Sequence, residues 1–124
     1  MAGYTRCGSV INEKSTLLWT NANPSSAFSA QTISLDLSGY TDILIKVKSV
    51  TSETSVQWDI LEDIENNTKQ ALVVYSTAQN VFGTRLCTIS STGIAFSTGY
   101  FSNNTTWTTV CIPLEIRGLK HSVI

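Results

Sequence analysis

The sequence predicts an all-β fold, an antiparallel β-sandwich or jelly roll of about eight short strands. Apolar residues occupy alternate positions in several separate runs, turn residues divide these runs at short intervals, and Ser, Thr, Val and Ile are frequent. The clearest run lies near the C-terminal end, where Val110, Ile112, Leu114 and Ile116 share one face of an extended strand. Pro113 lies within this run and has no backbone N–H, so the strand is expected to lie at a sheet edge or to carry a bulge there.

Four strands are predicted in the first half of the chain. Residues 1–14 are polar, show no clear period and are expected to form an irregular arm. A short strand over residues 16–20 follows the arm. Residues 31–37 and 43–48 alternate cleanly, and they form either an antiparallel hairpin or two strands that cross between sheets. Residues 56–60 alternate as well and supply the fourth strand.

Four further strands are predicted in the second half. An acidic turn or a distorted helical turn over residues 61–69 leads into residues 70–75, which are apolar on both faces and therefore predict a central strand. Residues 85–90 form the next strand, and a turn at Ser91-Thr92-Gly93 precedes a strand that begins at Ile94. The last strand runs over residues 108–116.

The predicted core consists of the apolar side chains on the inner face of the alternating runs. Its expected members are Ile33, Leu35, Leu37, Ile43, Ile45, Val47, Val56, Trp58, Ile60, Ile112, Leu114 and Ile116. The whole chain, residues 1–124, is expected to be one domain, because its length suits a single core.

Composition argues against several classes of protein. The net charge is −1 and only 14% of residues are charged, so the chain offers no basic field for a nucleic acid backbone. No apolar run approaches a membrane span, and the N-terminus has no signal-peptide core. The cysteines, Cys7, Cys87 and Cys111, are widely and irregularly spaced, which favours free thiols, synthesis in a reducing cytoplasm and a core position for Cys87 and Cys111 over a disulfide between those two.

The residues that could carry chemistry favour no catalytic, metal or cofactor site. The single histidine, His121, lies near the chain end, where nothing would hold an imidazole for catalysis. The spacing of His121 and the three cysteines does not match compact zinc modules. Asp59, Glu62, Asp63 and Glu65 lack the order of a calcium loop, so a solvated acidic turn is favoured over a metal site or a glycosidase pair. The chain is therefore expected not to be an enzyme.

The loop from Gly99 to Trp107 is the one predicted ligand surface. Tyr100 and Trp107 flank a polar run, and flat rings beside amide and hydroxyl groups suit the stacking of sugar rings. Asn103 and Asn104, followed by Thr105 and Thr106, would supply hydrogen bonds. The alternative is that these rings pin the loop to the sandwich or fill a subunit interface.

Several segments in combination resemble a family of small bacteriophage and prophage virion proteins, which are tail, baseplate or other minor structural proteins. The resemblance spans residues 17–120 and includes the run LWTNANP at 18–24, residues 28–40, Ile43-Leu44-Ile45, Arg85 in a strand, the run SSTGIAF at 90–96 and the run CIPLEIRGLK at 111–120.

The resemblance implies a non-enzymatic virion structural protein, associated with the tail or baseplate, that is made in the cytoplasm of the bacterial host and acts in assembly. Its expected partners are other virion subunits, including copies of itself as a trimer or dimer, since low charge density suits buried interfaces. Host-surface glycans are a further expected partner; nucleic acid and membrane insertion are not expected. The alternatives are a free-standing carbohydrate-binding module, a capsid decoration protein and, least favoured, a small hydrolase.

Overall fold

The fold is a sandwich of two antiparallel sheets, which confirms the predicted all-β class. A computed structural model describes residues 14–52, 54–77, 80–102 and 106–120, so most of the predicted N-terminal arm lies outside the described residues. All nine elements of the described part are strands. They are β1 (Thr16–Thr20), β2 (Gln31–Ser34), β3 (Asp42–Val50), β4 (Val56–Leu61), β5 (Lys69–Ser76), β6 (Val81–Ser90), β7 (Gly93–Phe101), β8 (Thr106–Trp107) and β9 (Val110–Leu119).

The two sheets divide the chain in an interleaved order. Sheet I has the strand order β1-β9-β3-β4, and sheet II has the order β2-β7-β6-β5, with β8 paired to β7. The segments predicted at 31–37 and 43–48 therefore cross between sheets rather than forming a hairpin. The pairing of β1 with β9 joins the two ends of the described chain within one sheet.

The centre of sheet I confirms the predicted phase of β3, whereas the single common face predicted for β9 is broken by a bulge, beyond which Ile112 lies opposite Lys48. Ile43, Ile45 and Val47 of β3 are fully buried, and Ile45 lies opposite Ile116 of β9. The pairing slips by one residue where Lys46 faces Glu115 and Val47 faces Pro113, so the proline lies at a bulge within a central strand. Nine of the twelve predicted core residues are buried or pack against the core: Ile33, Leu35, Leu37, Ile43, Ile45, Val47, Ile112, Leu114 and Ile116.

The predicted phase of β4 is wrong. Trp58 lies opposite Lys46 on the outer face of sheet I, and Val56 and Ile60 are on the same face, about half exposed at 49% and 53%. The opposite face of β4 carries Gln57, Asp59 and Leu61, of which only Leu61 belongs to the core.

Gln57 and Asp59 occupy inward positions of β4, where apolar side chains would be expected, because they form hydrogen bonds with the edge strand of sheet II. Strand β5 ends that sheet, so the prediction that it is central is also wrong. The Val73 amide donates to Asp59 Oδ2 at 2.9 Å, and Gln57 Nε2 donates to the Val73 carbonyl at 2.6 Å. Side chains of one sheet thus satisfy the backbone of an edge strand that would otherwise offer a template for another chain.

Removing the Asp59 carboxylate should therefore loosen this edge. We expect Asp59→Ala to lower the free energy of unfolding by about 1 kcal/mol, the usual net worth of a hydrogen bond, and to increase aggregation on heating. Urea titration and light scattering measure the two effects. The control is Glu62→Ala in the following turn, where the backbone carbonyl rather than the carboxylate binds Gln70, and it should stay within about 0.5 kcal/mol of wild type.

Candidate functional site

The structure separates the two aromatic side chains of the predicted glycan surface. Tyr100 lies opposite Thr84 and Thr106, whereas Trp107 lies opposite Gly99. Residues directly opposite each other in an antiparallel pair point to the same face, and faces alternate along a strand. Tyr100 is therefore on the outer face of sheet II and Trp107 on the inner side.

Trp107 packs at the margin of the sandwich. It is 48% exposed and meets Phe101 edge to face, with ring centroids 5.8 Å apart. Asn103 and Asn104 lie outside the described residues. The described rings thus form no common flat surface, and glycan binding by this loop stays a prediction.

Arg85 is the most constrained polar side chain of the described protein. It lies on the inner face of β6 and is 0% exposed. A guanidinium has five N–H donors, and all five acceptors here are backbone carbonyls. Nε donates to Cys111 O at 2.9 Å, Nη1 donates to Phe28 O at 2.9 Å and Ser97 O at 2.7 Å, and Nη2 donates to Val110 O at 2.8 Å and Thr108 O at 3.4 Å.

The backbone around Arg85 is shaped to deliver these carbonyls. Cys111 has φ 55°, a left-handed conformation that a residue with a Cβ rarely adopts. Successive carbonyls normally alternate along a strand, but this conformation lets Val110 and Cys111 both turn theirs toward the guanidinium. The Phe28 ring completes the enclosure, with the Arg85 Cζ 5.1 Å from its centroid.

Two buried thiols lie near the same cation. Cys87 and Cys111 are free and about 1% and 0% exposed. Burial raises the pKa of the Cys87 thiol from 9.0 to about 12, with Arg85 opposing the shift, and burial raises the pKa of the Cys111 thiol in the same direction. Both therefore remain neutral thiols, which suits packing rather than nucleophilic or metal chemistry.

The outer face of sheet II is an apolar surface, named here the apolar face. Its four large side chains are Val73 and Tyr75 of β5 and Phe82 and Leu86 of β6, exposed by 44%, 41%, 54% and 52%. Tyr75 and Phe82 lie opposite each other and meet edge to face at 5.1 Å. The Tyr75 hydroxyl donates to Asn80 Oδ1, which fixes the ring.

The outer face of sheet I differs because it is mixed, with charged side chains among exposed apolar ones such as Leu17. Lys46 and Lys48 of β3 lie opposite Trp58 and Val56. Arg117 Nε and Glu115 Oε2 of β9 form an ion pair at 3.4 Å on the same face. The two outer faces of the sandwich therefore have different chemistry.

A cavity of about 380 Å³ opens at one end of the sandwich, named here the end cavity. Its lining comes from the connection after β2, the β4–β5 turn and the β6–β7 turn. Three backbone hydrogen bonds tie these connections to each other: Leu37 N to Ser91 O at 2.9 Å, Ile64 N to Thr41 O at 2.9 Å, and Ile89 N to Thr68 O at 2.7 Å.

The carboxylates of the predicted acidic turn do not lie together at one site. Asp59 is engaged at β5, Asp63 Oδ1 accepts a bond from Asn66 at 3.0 Å, and Glu65 lies at the end cavity. No group of three or more metal-ligating side chains occurs among the described residues. His121 lies outside them. Within the same described part, no helix is long and apolar enough to cross a membrane.

Comparison of the chain with family models, curated proteins and solved structures found no match. The site must therefore be interpreted from its own geometry. Sequence reasoning recognised that residues 70–75 are apolar on both faces, but it missed the part of the apolar face that β6 supplies, the end cavity and the role of Arg85. One signal was present for Arg85, because Gly83, Arg85, Cys87 and Ile89 fall on alternate positions and so share the buried face of β6.

Replacing Arg85 should unfold or strongly destabilise the domain. We expect Arg85→Met to lower the free energy of unfolding by about 3–5 kcal/mol, because it leaves five backbone carbonyls without their donor in a buried site. Arg85→Lys should recover only part of this loss, because an ammonium has three donors and no planar fork. Arg117→Met, which removes an arginine that is 17% exposed and pairs with Glu115, should cost less than Arg85→Met in the same urea titration, because Glu115 is 21% exposed and keeps contact with water.

The buried thiols predict a pH dependence of stability. The neutral thiol is favoured in the folded state, so the contribution of Cys87 to the free energy of unfolding is fully present below about pH 9, the ordinary thiol pKa, and is lost as pH rises toward about 12.

Because Cys87 and Cys111 are buried, a thiol reagent should leave at least two of the three cysteines unmodified in native protein at neutral pH and modify all three in denaturant. Fast labelling of Cys87 or Cys111 in the native protein would contradict the described packing.

Proposed function

We propose that this protein is a non-enzymatic structural subunit of a bacteriophage virion, which assembles by packing the apolar face against a second copy of the same chain. The observation that carries the proposal is the cluster formed by Val73, Tyr75, Phe82 and Leu86 on an otherwise well-packed sandwich. The resemblance of residues 17–120 to small phage virion proteins supports the virion setting, with synthesis in the host cytoplasm.

The size of the apolar face suits a protein interface. Aromatic side chains present on the order of 150–250 Å² each, so the two rings, each about half exposed, leave roughly 200 Å² of surface uncovered, to which the two aliphatic side chains add. The largest apolar patch on a typical monomer covers about 300–600 Å² and is often functional. Four strands about 4.8 Å apart and about 27 Å long give a face of roughly 500 Å² in projection. Two such faces together reach the order of 1,000 Å² that a specific interface requires.

The chemistry of the apolar face favours a second copy as the occupant. Its outward residues on β5 and β6 include one charged side chain, Lys69, which lies at the end of the strand. A face whose one charge lies at its margin can pack against itself across a two-fold axis without burying like charges. The outer face of sheet I lacks this property. If two copies packed through that face, Lys46 and Lys48 of one copy would lie near the same lysines of the other.

This arrangement predicts a dimer that depends on Phe82. Light scattering should give wild-type protein twice the mass of 13.5 kDa at high concentration. Phe82→Glu should shift the protein to the monomer mass, because it places a carboxylate within a desolvated contact, with a loss of about 3 kcal/mol or more in association free energy. Circular dichroism should confirm that the variant remains folded.

The matched control is Ile60→Glu on the outer face of sheet I. Ile60 is 53% exposed and Phe82 is 54% exposed, so the two substitutions disturb similar areas of surface. Ile60→Glu should leave the dimer intact. A monomeric wild type at every concentration would overturn the proposed assembly, and a trimer would retain self-association but exclude the two-fold packing.

A further inference from the structure

We propose that the end cavity binds the ring of a neutral saccharide. The cavity is separate from the apolar face, and the proposal does not depend on the proposed assembly. It also lies at the opposite end of β7 from the loop over residues 99–107, because the β6–β7 turn borders the cavity and β7 runs from Gly93 to Phe101. The structure therefore points to a different place for sugar recognition than the aromatic loop does.

The cavity has an apolar floor that is rigid before any ligand arrives. Leu37, Ile64 and Ile89 line it and belong to the core, with exposures of 2%, 5% and 3%. Each of them donates one of the backbone hydrogen bonds that tie the three surrounding connections together. A volume of about 380 Å³ lies within the range of small-molecule sites, which are concave, largely preformed and mainly apolar.

One aromatic ring lines the cavity in a fixed position. The Tyr40 ring packs across Gly118 of β9 so closely that a Cβ at Gly118 would lie 2.6 Å from a ring carbon. The apolar C–H face of a sugar ring packs on aromatic and aliphatic surfaces. Tyr40 therefore adds a fixed aromatic side chain to the aliphatic lining of the cavity.

The polar side chains around the opening of the cavity can form hydrogen bonds with the hydroxyls of a ligand, and none of them carries a positive charge that would bind an anion. Ser38, Thr68, Ser90 and Ser91 place hydroxyl-bearing residues around the opening, and Glu65 adds one carboxylate. Asp36 accepts hydrogen bonds from both the backbone N–H and the hydroxyl of Ser38, which holds that turn in place and keeps the pKa of Asp36 below its usual value.

The balance of these polar groups selects the ligand class. None of the lining residues is Lys, Arg or His, so a phosphate or a sugar acid would meet no counter-charge. A carboxylate accepts hydrogen bonds from neighbouring hydroxyls, which a neutral sugar offers in pairs. Ser38 and Ser90 already donate to Asp36 and Gly93, so their oxygens are left to accept hydrogen bonds from a ligand. A small amine would satisfy Glu65 alone, whereas a sugar ring carries enough hydroxyls to reach these oxygens as well.

The test is a titration of ¹⁵N-labelled wild-type protein, followed by amide chemical shifts, with glucose, galactose and N-acetylglucosamine as separate probes and n-butylamine as the competing class. We expect saturable shifts at millimolar concentrations of at least one sugar, confined to the amides of residues 37–41, 64–68 and 89–92. Glu65→Ala should weaken that affinity about tenfold or more, because a charged acceptor is lost.

The control variant Glu62→Ala removes a carboxylate from the same turn, and Glu62 does not line the cavity. It should bind the sugar as wild type does. The proposal is overturned if none of the three sugars gives saturable shifts in those segments, if only n-butylamine binds there, or if the two variants weaken binding equally. If the protein is monomeric but still binds sugar, the proposed assembly fails and the proposal for this site stands.

Discussion

The rest of the structure depends on the enclosure of Arg85. Its guanidinium binds carbonyls from three separate parts of the chain: the β1–β2 connection at Phe28, strand β7 at Ser97, and the segment from Thr108 to Cys111 that leads into β9. These parts belong to both sheets and to the loops between them. Burying a charge without a counter-ion is unfavourable unless every donor is satisfied. The five bonds meet that condition, and they also hold Cys111 in a conformation that would otherwise be strained.

The edge between β4 and β5 shows the same use of polar groups for closure. Gln57 and Asp59 occupy inward positions of β4, where alternation alone would place apolar residues, and they bind the backbone of Val73. One consequence is that side-chain hydrogen bonds, rather than a strand common to both sheets, join the two sheets along this side. A second consequence is that Val56 and Ile60 face solvent.

Alternation predicted the fold class and the inner face of β3 because that strand buries one face and its inward residues are aliphatic. In β9 the alternation breaks at the bulge, beyond which Pro113 rather than Ile112 lies opposite the inward Val47. It failed for β4 because the outer face of that strand is apolar, whereas the inner face carries Gln57 and Asp59, which form hydrogen bonds with β5. Hydropathy therefore could not show which face of the strand points inward. It failed for the position of β5 because an apolar outer face was taken as a sign of burial within the sheet, whereas Val73 and Tyr75 are exposed. The end cavity was beyond prediction, since it is formed by three connections that are distant in sequence and meet only through tertiary hydrogen bonds.

The central functional claim is that two copies meet through the outer face of sheet II. Distance measurement between spin labels in the intact protein tests it most directly, with one label site at Thr88→Cys on that face and another at Lys48→Cys on the outer face of sheet I, both in a Cys7→Ser background. The two layers of each sandwich are about 10 Å apart, so the distance between copies should be short and narrowly distributed at position 88 and longer by about 20 Å at position 48. No distance between copies at either site, or the shorter distance at position 48, would contradict the claim.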